Sequence, residues 1–185
     1  MCIRDRAIRL HKALLASQNT VDADKTANEW LKTHPKDAVI RLYLGDLATA
    51  RKDYPAATQY YRSVIDQQPE NALALNNLAW VSGQTKSPKA MEYAEKANKL
   101  APNQPAFMDT LAMLMADKGD TAGAIALLRK ALEIAPQAAP LRLNLARVLI
   151  NAGRKDEARS ELETLAKLGD KFPEQAEVEK LQKTL

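Results

Sequence analysis

The chain has 185 residues, of which 46% are apolar and 27% charged, with a net charge of +4. This balance excludes a disordered polymer and leaves room for a sizeable core; abundant Ala and Leu with only 5% aromatics favour helix over sheet. The charges alternate in sign with no run of more than two adjacent Lys or Arg, which argues against a phosphate-binding stripe and against nucleic acid as a partner.

Cys2 is the single cysteine, so neither a disulfide framework nor a thiolate metal cluster is available, and it is expected to be inert. No apolar run approaches the ~18 residues that a membrane helix needs.

At the start, MCIRDRAIRLHKALLAS alternates charged and apolar residues without an uninterrupted apolar centre, unlike a secretory signal. Residues 1–6 resemble a translated adapter and are read as a non-native scar, so the natural start is expected upstream.

From residue 7 onward the chain is periodic. Pro35, Pro69, Pro102 and Pro136 are separated by 34, 33 and 34 residues, and Asp170 stands 34 further on. Twelve residues before each marker stands an alanine: Ala23, Ala57, Ala90, Ala124 and Ala158. About 25 before stands a leucine, Leu10, Leu44, Leu78, Leu111 and Leu145, followed by His11, Gly45, Ala79, Ala112 and Ala146.

Each column has a physical reason. Proline lacks an N–H and disfavours helix in the residue before it, so it ends one helix and resets the chain direction. The alanine column allows close approach of a second helix. The leucine is the knob of the first helix, and the small residue beside it lets the two helices meet.

Five helical hairpins follow, at about 7–37, 38–71, 72–104, 105–138 and 139–170. A lone hairpin cannot bury its apolar face, but stacked neighbours can. Asp53 and Asp120 are placed to cap second helices, and Gly119 to take the left-handed conformation that closes a first helix. The third unit is one residue shorter, and Ser87 with Pro88 is expected to cap it. In the fifth unit Gly153 is followed by Arg154, which leaves its cap undefined.

Residues 171–185 read as a capping helix opened by Pro173. Phe172, Ala176 and Leu181 would face the last hairpin, with Glu174, Glu177, Glu179, Lys180 and Lys183 toward water. The expected fold is all-α: about five stacked helical hairpins plus this C-terminal cap.

First helices line the concave side of such an array. One row of their residues is Ile8, Leu42, Asn76, Asp109 and Leu143; one turn later come Lys12, Asp46, Trp80, Met113 and Arg147. Leu42, Asp46, Asn76, Trp80, Asp109, Met113, Leu143 and Arg147 are the candidate partner-contacting residues. Trp80 beside Met113, rimmed by Asp46, Asn76, Asp109 and Arg147, has the apolar centre and polar rim of a peptide-binding hot spot. The alternative is that Trp80 and Met113 pack against neighbouring helices.

Tyr43, Tyr54, Tyr60, Tyr61 and Tyr93 fall mostly on packing faces, and Trp30 reads as core. His34 sits at a helix end where positive charge suits the dipole. His11 replaces a small residue at a helix contact, the mark of a strained first unit. Two histidines with no carboxylate cluster around them make no metal site. No GxSxG, phosphate-cradling glycine loop or HExxH is present, so neither catalysis nor a cofactor is expected.

A helix–turn–helix of 34 residues with Leu and a small residue in helix one, Ala in helix two and a closing Pro resembles the tetratricopeptide repeat. The resemblance covers residues 4 to about 170 and departs at His11, Trp30 and Asp170. It implies that the five hairpins and the C-terminal capping helix wind as a right-handed α–α superhelix, a solenoid that binds a protein or peptide partner. The Lys–Asn carboxylate clamp of chaperone-binding members is absent from the rows above.

The run from Asn76, with MDTLA at 108–112 and the FPEQAE tail, is similar to the C-terminal end of bacterial PEP-CTERM system tetratricopeptide lipoproteins. That resemblance implies an envelope location and a role in exopolysaccharide export or protein sorting. The second reading is an accessory arm of a larger enzyme such as a glycosyltransferase.

The first helix begins in mid-pattern with Ile8, Leu10, Leu14 and Leu15, so further repeats are expected upstream. Residues 1–185 alone should then self-associate through that helix. A clean monomer in light scattering at high concentration would contradict this.

Overall fold

The computed structural model describes residues 3–185; Cys2 lies outside them. Among the described residues there are eleven α-helices, one short 3-10 turn and no strand. In chain order they are α1 (Ile3–Ala16), α2 (Thr20–Thr33), α3 (Ala38–Ala50), α4 (Tyr54–Ile65), α5 (Ala72–Gln84) and α6 (Ala90–Leu100). Then follow α7 (Pro105–Asp117), α8 (Thr121–Ile134), α9 (Ala139–Asn151), α10 (Lys155–Ala166), the 3-10 turn Gly169–Lys171 and α11 (Gln175–Gln182). They form two compact units, one running to Ala74 and the other Leu75–Leu185.

All five members of the alanine column are buried, four of them at 0% exposure and Ala90 at 6%. Each hairpin turn holds one residue at positive φ: Gln18 (61°), Lys52 (61°), Lys86 (54°), Gly119 (93°) and Gly153 (72°). These residues are spaced like the prolines, but only two are glycine, so the other three turns accept the steric cost of a left-handed Cβ.

In the first unit, the hairpins are α1 with α2 and α3 with α4. Asn19, Asp37 and Asp53 cap α2, α3 and α4 through the Asp22, Val39/Ile40 and Ala56 N–H groups. Gly45 on α3 meets the ring of Tyr61 on α4. Tyr61 is 1% exposed; its hydroxyl donates to Asp46 Oδ1 at 2.7 Å and lies 3.1 Å from Thr49 Oγ1.

His11 is buried, with Nδ1 2.8 Å from the Tyr43 hydroxyl, so its side chain fills the small-residue position by making a polar contact. Burial holds its pKa below the ordinary imidazole value. Leu10, expected as a knob, is 52% exposed, because no described helix precedes α1 to receive it. Trp30 is half-buried rather than core. It stacks on His34 at 4.0 Å and donates from Nε1 to Asp37 Oδ2 at 3.0 Å.

In the second unit, Ala79, Ala90, Ala94 and Leu114 join α5, α6 and α7. A larger cluster of Met108, Ala112, Leu128, Leu145 and Leu149 joins α7, α8 and α9. Asp120 caps α8 through the Gly123 N–H at 2.9 Å. Arg142 Nη2 donates to the Pro136 carbonyl at 3.1 Å, as Arg41 Nη2 does to Pro35 at 2.7 Å in the first unit, tying each proline turn to the helix that follows.

Two local expectations, at Ser87 and Ala176, are corrected, and the cap left open at Arg154 is resolved. Ser87 does not cap α6 with its side chain: Lys89 occupies the cap position without a side-chain bond, and the Ser87 carbonyl accepts from the Ala90 N–H at 3.2 Å. The cause is the missing residue. Lys86 lies four residues before Ala90, whereas Lys52 lies five before Ala57 and Gly119 five before Ala124. Ser87 stands directly after the left-handed residue, as Asp53 and Asp120 do, but with one residue fewer before the alanine the helix begins at Ala90 itself.

At α10, Arg154 makes no cap either. Its guanidinium instead grips Glu157 at 2.6 and 2.8 Å, and Asp156 and Glu157 supply the negative charge that a helix N-terminus favours. At the C-terminal end, Val178 (0% exposed) and Phe172 (5%) anchor α11, while Ala176 is exposed. The helix starts only at Gln175, which turns position 178 inward.

Gly45→Ala should lower stability by about 1–3 kcal/mol in urea unfolding, since the new Cβ would fall 2.5 Å from Tyr61 Cε1. That loss outweighs the gain in helix propensity of up to about 1 kcal/mol. Unchanged or raised stability would contradict the close contact.

Candidate functional site

The second unit carries a groove of about 450 Å³ between α5, α7 and α9. Its geometry follows from helical spacing: residues four apart stack on one face, about 6 Å up the axis. On α7 this gives a ladder of Asp109, Met113 and Asp117. On α5 the matching rungs are Trp80 and Gln84, and on α9 they are Leu143 and Arg147, with Asn144 beside them. Glu174, just before α11, closes one side.

Five of the eight candidate residues line this groove: Trp80, Asp109, Met113, Leu143 and Arg147. Trp80 is 40% exposed, so its ring is not a core residue. Leu143 is buried at 2% and belongs at once to the groove floor and to the cluster beneath it with Leu162 and Phe172.

Asn76 is not among the lining residues. It is buried, with Nδ2 donating to Asn77 Oδ1 at 3.3 Å and Oδ1 left without a partner. Leu42 and Asp46 belong to the first unit, where Leu42 is half-buried and Asp46 holds the Tyr61 hydroxyl.

A polar chain crosses the groove. Asn144 Nδ2 donates to both oxygens of Asp109 at 2.9 and 3.0 Å. Arg147 Nη1 donates to Asn144 Oδ1 at 2.9 Å, and Arg147 Nη2 lies 3.8 Å from Glu177 Oε1. Burial holds the Asp109 carboxyl above its ordinary value of 3.8, against the lowering effects of the Asn144 hydrogen bond and the Arg147 charge.

Asn144, Gln84 and Asp117 were not singled out from sequence, and Glu174 was read only as facing water. Gln84 and Asp117 were within reach, being the next rungs after Trp80 and Met113. Asn144 stands outside the repeating rows, and its role depends on a carboxylate 35 residues earlier.

A second cavity, of about 480 Å³, adjoins the groove and shares Gly83, Leu114 and Asp117 with it. Gly83 lets Leu114 of α7 pack close against α5, since a Cβ there would lie 2.8 Å from Leu114 Cδ2. Lys86, Ser87, Ala90 and Met91 form its other wall, around the shortened turn before α6.

The arrangement provides an exposed aromatic, an apolar floor and a charged line. Among the described residues no three His, Cys, Asp or Glu side chains are grouped to hold a metal ion, and no helix is long and apolar enough to cross a membrane.

Family models described as tetratricopeptide repeat match residues 8–72 and 115–183, together more than half of the chain. Among curated relatives, TPR repeat-containing protein PA4667 of Pseudomonas aeruginosa is 33% identical over 138 residues, covering 71% of this chain and 23% of that protein. Cellulose synthase 1 operon protein C of Komagataeibacter xylinus is 27% identical over 150 residues, covering 80% of this chain and 11% of that protein. The chain thus spans less than a quarter of the length of either relative.

Among solved structures, PilW, a widely conserved type IV pilus biogenesis factor, superposes with a TM-score of 0.78 at 22% identity, over 90% of this chain and 78% of that one. Pseudomonas aeruginosa pilF gives 0.73 at 24% identity, over 95% and 80%. A thermophilic TPR protein of Thermus thermophilus gives 0.75 at 17% identity, over 97% of both chains. At these identities the likeness establishes the fold.

The raised carboxyl of Asp109 sets a pH dependence. The folded chain holds a proton there more readily than the unfolded chain, so the stabilisation is full below the unfolded value and is lost as pH rises through the folded one. Urea unfolding should therefore show Asp109→Asn gaining on the parent protein between about pH 4 and neutral pH. A parent protein that gains on the variant over that range would reverse the sign of the shift.

Proposed function

The chain belongs to the tetratricopeptide repeat family, and on that premise we propose that it is a non-catalytic scaffold holding a segment of a partner protein in the groove of its second unit. One observation carries the reading: the 40% exposed ring of Trp80 lines a groove with Met113, Leu114 and Leu143 on its apolar side and Asp109, Asn144 and Arg147 across it. Interfaces draw most of their affinity from a few aromatic or aliphatic anchors inside a polar rim. An extended segment or a helix can place one apolar side chain against Trp80 and its neighbours against the polar line.

The setting we propose is a bacterial envelope assembly for exopolysaccharide export or protein sorting. Support comes from the similarity of the MDTLA and FPEQAE stretches to PEP-CTERM system lipoproteins. It comes also from a relative named for a cellulose synthase operon and from fold neighbours named for type IV pilus biogenesis.

The reading is tested with Trp80→Ala combined with Met113→Ala. Affinity capture from bacterial envelope extracts, compared by mass spectrometry, should lose the proteins held by the parent chain. Removing one hot-spot anchor costs about 2 kcal/mol or more of binding, roughly thirtyfold. The melting temperature should stay within about 5 °C. Intact capture together with a sharp fall in melting temperature would make Trp80 a packing residue and place the site elsewhere.

A further inference from the structure

The charge of the groove runs opposite to that of the chain. The molecule is +4 overall, yet the groove is lined by three carboxylates, Asp109, Asp117 and Glu174, and one guanidinium, Arg147. Arg147 is already engaged with Asn144 and Glu177. None of the ion pairs among the described residues reaches Asp109, Asp117 or Glu174.

Asp109 and Asp117 stand two rungs apart on α7, about 12 Å along the axis, with Met113 between them. An apolar surface is thus bracketed by two carboxylates: Asp109, hydrogen-bonded by Asn144 and partly offset by the Arg147 charge, and Asp117, which no ion pair among the described residues reaches. Lys86 and Lys118 line the adjoining cavity rather than the groove.

We propose that the occupant of the groove is a partner segment in which lysine or arginine stands beside an apolar residue, the apolar side chain against Trp80 and Met113 and the cationic ones toward Asp109, Asp117 and Glu174. The inference rests on the groove reading above and adds the chemistry of the partner. An acidic segment or a free C-terminal carboxylate would meet three like charges and is rejected. A cation also relieves Asp109, whose carboxylate is held in a buried position where its charge is costly. Complementary charge of this kind governs partner choice and encounter rate.

The test uses the full chain carrying Trp30→Phe, so that Trp80 is the sole tryptophan. A random dodecapeptide phage library is panned on it, and the selected peptides are synthesised and titrated by fluorescence. The expected result is peptides with a basic residue among apolar ones that shift Trp80 emission and weaken as salt rises.

Asp117→Asn with Glu174→Gln should cut affinity about tenfold, the worth of two partly exposed charge contacts. Arg147→Gln, which removes the groove's own cation, should raise it several-fold, a gain that structural damage would not give.

Selected peptides that shift Trp80 but are acidic or neutral, or that ignore these variants, overturn the basic occupant and leave the groove standing. Selected peptides that bind without shifting Trp80 and keep their affinity in Trp80→Ala, or a library that yields none, overturn the groove reading and this one with it. Emission that shifts with protein concentration alone gives the groove to a second copy of the chain and overturns the partner segment.

Discussion

Two helix backbones approach closely only where nothing larger than a methyl group stands between them. The alanine column meets that constraint in every hairpin, with Ala23, Ala57, Ala124 and Ala158 fully buried and Ala90 nearly so. Interiors pack at crystal-like density, so one added methylene at such a seam is felt by the whole hairpin. Gly45 shows the limiting case, where even a methyl would run into the Tyr61 ring. Once the hairpins are fixed at this spacing, the exposed faces of their first helices are fixed with them.

The groove is a by-product of that spacing. In the second unit, α5, α7 and α9 each present residues four apart, and the side chains that are not needed for packing line the groove between them. Leu143 shows how thin the boundary is, serving the core below and the floor above. The Asp109–Asn144–Arg147 chain then ties α7 to α9 across the groove, so the charged line is held by the same helices that hold the apolar floor.

Much of this was legible in the sequence because backbone constraints leave few alternatives. A proline that ends a helix, an alanine at a seam and an aspartate before a second helix each have one use at that position, and Asp53 and Asp120 perform it. That Trp80, Asp109, Met113, Leu143 and Arg147 line one groove was legible for a related reason: four-residue spacing sets Asp109 with Met113 and Leu143 with Arg147, and the repeat period brings Trp80 alongside.

What escaped depended on partners far along the chain or on small rotations. Asn144 draws its meaning from Asp109, Val178 from the late start of α11, and Leu10 from the absence of a described neighbour before α1. The buried His11 could be paired with Tyr43 only once α1 and α3 were placed. The left-handed Gln18, Lys52 and Lys86 carry no glycine to announce them.

The third hairpin shows how such an architecture tolerates change in length. Its missing residue falls between the left-handed Lys86 and Ala90, after the turn is closed and before the seam begins. The seam keeps its register, and the whole adjustment is absorbed by a helix that starts later. What changes is the relief of the surface: a hollow around Met91 and Lys86 opens beside Trp80's groove. Deletions at that one point thus reshape a rim without retuning the core, giving repeat proteins a low-risk route to new contours on a conserved frame.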